Sequence, residues 1–127
     1  MELSNIQKWF LFELQYFDMS LPLLLCNIER ASPEVDEINK YEISQELVLT
    51  MNEKGLVDLY EIDKSVIPEY DLTSARAISG SELKKFICDS IRWVNQYSHD
   101  GKYRYAFATT EEGDNLIARI NWPKAKK

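Results

Sequence analysis

An α+β fold is what this sequence predicts, and three observations carry it. The stretch Tyr41–Asp63 holds Ile43, Leu47, Val48 and Met51 on one helical face, then Gly55, then an aliphatic and aromatic run from Leu56 to Ile62. That is a helix closed by a glycine able to take positive φ, followed at once by a strand. Downstream, Tyr103, Tyr105 and Phe107 alternate with Lys102, Arg104 and Ala106, which is the pattern of a half-buried strand with a basic outer face. Around these two strands lie further segments whose apolar residues recur at three and four.

Taken in order, the first helix covers residues 2–17, where Leu3, Ile6, Trp9, Phe10, Leu14 and Phe17 form a stripe. Phe12 and Tyr16 widen it, so this helix is either deeply buried or shared with a second copy. Pro22 fits the first turn of a second helix over 21–30. Ser32 and Pro33 can open a further helical segment through Glu34, Asp36 and Glu37, either separate from the helix at 42–54 or continuous with it. The strand at 56–62 is followed by an irregular stretch. Ser79 and Glu82 offer a capping box for a helix over 81–96, on which Leu83, Phe86, Ile87, Ile91 and Val94 share a face. Trp93 falls off that face and is read as a surface anchor, with core packing as the alternative. The turn Ser98–Gly101 leads into the strand at 103–108. Thr109 with Glu112 makes a second capping box for a last helix over 110–120, and Trp122–Pro123 ends it.

At 127 residues and 45% hydrophobic, the chain is long enough to bury one core, and it is read as a single domain over 1–127. No apolar run reaches the ~18 residues of a membrane span, and no basic n-region precedes an apolar stretch. Cys26 and Cys88 make no CxxC pair and are read as buried free thiols in a reducing compartment, with a disulfide as the alternative. A cytoplasmic location is expected. The net charge of −6 is unevenly spread. Residues 29–71 carry twelve acids against four bases, whereas residues 72–127 carry six against ten. An acidic middle repels phosphate and steers cationic partners.

Three pieces resemble winged helix-turn-helix proteins. Asn52–Val57 is similar to the junction of a recognition helix with its first wing strand. Tyr105–Gly113, YAFATTEEG, is similar to a returning wing strand that runs into a helix start. A tri-helical segment, residues 2–54, precedes both. The resemblance implies a winged-helix-like domain in which residues 63–102 are an insertion between the wing strands. It also implies DNA binding through the helix at 42–54. Charge argues against that last point: Ser44, Gln45 and Asn52 stand beside Glu42, Glu46 and Glu53, with Lys54 the single base.

No catalytic constellation is recognisable. His99 stands in a polar turn beside Asp100 with no nucleophile near it. No zinc spacing, P-loop or calcium loop occurs, so neither enzyme activity, metal nor cofactor is expected. The reading is therefore a protein-binding module, of the profile of bacterial toxin-immunity or antitoxin proteins, that neutralises a basic toxin such as a nuclease by occluding its active surface. Glu34, Asp36, Glu37, Glu61, Asp63, Glu69 and Asp71 are the candidate partner-binding carboxylates, with Trp93 as anchor. The alternative is a winged-helix transcription regulator that binds DNA and is dimeric through residues 2–17.

Overall fold

The computed structural model describes residues 2–16, 19–31, 36–65 and 75–120, with the backbone alone for Ala31, Glu37 and Ile38. Two strands, β1 (Val57–Asp63) and β3 (Tyr103–Thr109), pair antiparallel over their whole length, with Leu59 opposite Phe107 and Glu61 opposite Tyr105. The segment between them adds a short strand, β2 (Arg76–Ile78), on the other side of β1, so the sheet order is β2-β1-β3. This strand falls in the stretch expected to be irregular. One face of the sheet carries Leu59, Ile78 and Phe107, all buried, and the helices pack there. The outer edge of β3 is also occupied. Met19 O accepts from Phe107 N, Gln96 O accepts from Tyr105 N, and Tyr103 O accepts from Ser98 N, each at 2.9 Å. Covering that edge removes a free row of backbone donors and acceptors that would otherwise template aggregation.

The helices are α1 (Asn5–Tyr16), α2 (Leu21–Ala31), α3 (Glu37–Glu53), α4 (Gly80–Cys88) and α5 (Glu111–Arg119). The starts of α1, α2, α3 and α5 each have a side-chain cap. Ser4 and Gln7 form a reciprocal capping box ahead of α1, and Ser20 Oγ accepts from Leu23 N at the start of α2. Asp36 caps α3, its carboxylate accepting from Asn39 N at 2.9 Å. The helix expected at 42–54 therefore begins five residues earlier. It ends in a Schellman motif: Leu56 N donates to Met51 O and Gly55 N to Asn52 O, with Gly55 at φ 72°. For α5 the cap is Thr110 instead of Thr109, and its hydroxyl accepts from Gly113 N while donating to Gly55 O at 2.6 Å. That pair of bonds fastens the start of α5 to the end of α3. Gly113 is required there, because a Cβ at this position would lie 2.3 Å from Leu56 O.

The expected helix over 81–96 is shorter. It stops at Cys88, and Asp89, extended at φ −83° and ψ 111°, caps a 3-10 turn over Ser90–Trp93 through Ile91 N. Ser79 sits at the N-cap of α4 but makes no side-chain bond there, and Glu82 pairs with Arg76 in place of closing a capping box. The change of path turns Trp93 inward. It is 1% exposed, its Nε1 donates to Ile87 O at 2.7 Å, and its ring meets Tyr41 edge-on. Trp93 is thus a core residue and not a surface anchor. With Leu83 and Ile87 it joins Phe10, Leu11, Leu24, Val48, Met51 and Phe107 in one hydrophobic core, so the segment between β1 and β3 is part of the core that supports the strand pair. Cys26 and Cys88 are both free thiols; Cys26 is half-buried and Cys88 exposed, which corrects the expectation that both are buried.

Candidate functional site

The polar groups of α3 fall into two sets. One set is consumed by the fold. Ser44 is fully buried, and its hydroxyl donates to Lys40 O at 2.7 Å. Gln45 Nε2 donates to Ile87 O at 3.1 Å, and Asn52 Nδ2 donates to Val57 O at 3.0 Å. These are the side chains that would read base edges if α3 entered a groove. The second set faces solvent. Glu42, Glu46 and Glu53 are exposed and lie within about 40° of one another around the helix, at the ~100° per residue of an α-helix. Leu49, half-buried, falls on the same line. The ridge α3 presents is therefore carboxylate, and the half-buried Lys54 follows at its foot.

Beyond the ridge, the first turn of α5 adds exposed Glu111, Glu112 and Asp114. Glu112 comes within 3.6 Å of where a Cβ of Gly55 would be, so the two helix ends adjoin. Asp114 accepts from Gln15 Nε2 at 3.3 Å, and Gln15 also reaches Thr109 Oγ1 at 3.4 Å, which joins α5 to the last turn of α1. A sequence scan groups acids by proximity along the chain. The helical spacings of four and seven in Glu42, Glu46 and Glu53 were the signal for this surface.

Of the carboxylates picked out from the sequence, Asp36, Glu37, Glu61 and Asp63 are among the described residues and lie at two places, the start of α3 and the end of β1. Asp36 is exposed at the N-terminus of α3, holding Asn39 through both oxygens. Glu37 begins that helix. Glu61 lies on the core-facing side of β1, only 18% exposed, where Arg76 pairs with it at 3.3 Å and Tyr105 Oη donates to it at 3.4 Å. It is a structural acid. Asp63 is exposed but folded onto its own turn, accepting from Ser65 N and Oγ at 2.9 and 2.8 Å, and these bonds hold its pKa below the usual carboxylate range. Glu34, Glu69 and Asp71 lie outside the described residues.

Around Glu61 a polar and aromatic cluster fastens the insertion to the sheet. Arg76 Nη1 donates to both oxygens of Glu82 at 2.7 and 2.8 Å, and its Nε and Nη2 donate to Glu61; these partners push its already high pKa further up. The Arg92 guanidinium lies over the Phe86 and Tyr105 rings, 4.8 and 5.3 Å from their centroids. Burial, reinforced by Glu61, raises the Tyr105 pKa despite the opposing Arg92 charge. None of these groups is arranged as nucleophile and base. Among the described residues, no three His, Cys, Asp or Glu side chains are grouped to hold a metal ion, and no helix is long and apolar enough to cross a membrane. Shallow cavities lie among the described residues. One of about 380 Å³ is lined by Ser20, Pro22, Leu23, Cys26, Gln96 and Arg104, and one of about 330 Å³ by Leu56, Glu112, Asn115, Leu116 and Arg119.

Comparison with protein-family models, curated proteins and solved structures yields no match to this chain.

Proposed function

We propose that this chain is a protein-docking module on a winged-helix-like scaffold, of the immunity or antitoxin type, and that it neutralises a basic protein by covering that protein's cationic active surface. The scaffold reading is supported by the order of elements: three helices, then the antiparallel pair β1 and β3, with Met19 tying the α1–α2 junction to β3. The observation that carries the functional reading is the outer face of α3. Where a DNA-reading helix would present donors, this one presents Glu42, Glu46 and Glu53, while Ser44, Gln45 and Asn52 are engaged inside the fold. Each carboxylate near a phosphate backbone opposes counterion release, and the same charges steer a cationic protein toward the face. A nuclease surface rich in lysine and arginine is the class of partner such a face fits. The triple charge reversal E42K/E46K/E53K tests the reading. The variant is expected to keep the melting temperature of the native chain and to lose the basic protein that co-purifies with it. Retention of that partner would overturn the proposal.

A further inference from the structure

One stripe of α5 is complementary to itself. Glu112, Asn115, Leu116 and Arg119 follow at three, one and three, and at ~100° per residue they fall within about 100° around the helix. Together with Leu56 they line the cavity of about 330 Å³. Leu56 is buried and Leu116 half-buried, while Glu112 and Arg119 stand exposed at the two ends of the stripe. Seven residues at ~1.5 Å each set those charges about 10 Å apart along the axis, too far to pair with each other. Among the described residues neither takes part in an ion pair. Arg119 Nε donates to Asn115 O at 3.3 Å, which holds its guanidinium against the helix.

This order of charges decides what the stripe can receive. A basic surface that met Glu112 would press a cation on Arg119, and a phosphate that met Arg119 would press an anion on Glu112. The fitting occupant carries a base and an acid about two helical turns apart, in the reverse order. A second α5, laid antiparallel, carries that pattern. Positions 115 and 116 lie midway between 112 and 119. A two-fold axis there sets each Glu112 opposite Arg119 of the other copy, and packs Asn115 and Leu116 of one copy on those of the other. Helices in contact lie about 8–10 Å apart, a gap that glutamate and arginine side chains bridge.

We propose that a second copy of this chain docks on the Glu112–Arg119 stripe of α5, forming a symmetric antiparallel helix pair with two crossed ion pairs. The stripe shares no residue with the α3 ridge, so the inference stands whether or not that ridge engages a cationic protein. A contact centred on two nine-residue helices is smaller than a stable interface, and the dimer is accordingly weak and concentration-dependent. At physiological salt, exposed charges more than about 8 Å apart are largely screened, so the net charge of −6 on each copy does not override the two local pairs.

The test follows the full chain by sedimentation equilibrium at physiological salt, from micromolar to millimolar concentration, and by NMR at both ends of that range. A monomer–dimer equilibrium is expected, with concentration-dependent amide shifts at Leu56 and along residues 112–119. Glu112→Arg and Arg119→Glu each remove both symmetric pairs, and each is expected to weaken dimerisation about tenfold, at about threefold per exposed pair. The charge swap E112R/R119E recreates both pairs in the opposite sense and is expected to restore the native dimerisation constant. Because the swap contains both changes, its recovery also shows that neither single variant failed by misfolding. A chain that is monomeric at millimolar concentration would overturn the proposal, as would a dimer indifferent to both reversals or a swap no better than the single variants. A dimer whose shifts fall on α1 in place of α5 would overturn it too.

Discussion

Gly113 and Trp93 are single residues on which the architecture turns. The backbone of Gly113 approaches Leu56 O so closely that a methyl group has nowhere to go, since the atom it would meet is backbone held by the Thr110 N bond. Gly113→Ala is therefore expected to destabilise the chain by about 2–3 kcal/mol, the upper part of the overpacking range, as read from urea unfolding. Trp93→Ala leaves a large void and frees Ile87 O of one donor, and a loss of about 3–5 kcal/mol is expected by the same measurement. Two exposed acids report on their turns. Asp63 is held low by Ser65, and Asp100 by Ser98 and the Lys102 N–H. Both are depressed, so the stabilisation they give their turns is present above the ordinary carboxylate pKa and is lost as pH falls through their lowered values. In an NMR titration, both carboxyls are expected to protonate below the ordinary aspartate value. Midpoints at or above that value would contradict the bonds described.

At the scale of elements, caps and registers account for most of what forms. Asp36→Ala removes the acceptor for Asn39 N and is expected to cost about 1 kcal/mol, with helix loss confined to the first turn of α3 in hydrogen exchange. Much of this level was legible in the sequence. The α3–Gly55–β1 junction and the alternation in β3 are written in local spacing, and both strands formed and paired as that spacing implies. What was not legible has physical reasons. The strand β2 is three residues long with one buried side chain, too short to show alternation, and it pairs with β1 where Arg76 meets Glu61 across the sheet. The end of α4 was missed because the apolar period runs on through Ile91 and Val94, whereas Asp89 breaks the helix and leaves both exposed. Trp93 changed role with that break. The candidate site was only partly legible for a related reason. Acids close in sequence, such as Glu61 and Asp63, are each tied to partners of their own, while Glu42, Glu46 and Glu53 come together through the helical period.

For the whole molecule, the segment between β1 and β3 decides which groups of α3 stay outside. Its α4 and 3-10 turn contribute Leu83, Ile87 and Trp93 to the common core and take the donor of Gln45. A helix so engaged keeps its place but gives up polar side chains that could face a ligand. The charge that α3 and the first turn of α5 leave outside is acidic, and it runs from one to the other. In a gel shift on the DNA upstream of its own gene, the chain is expected to give no complex at low salt; a complex that weakens steeply with added salt would point to phosphate contacts. The central claim is that the outer face of α3 engages a cationic protein, and the most direct measurement is paired co-purification from the native host. The tagged chain and its E42K/E46K/E53K variant are captured under identical conditions and their partners quantified by mass spectrometry. The account predicts a stoichiometric basic protein with the native chain and its loss from the variant at unchanged melting temperature. Recovery of the same partner with both would contradict it.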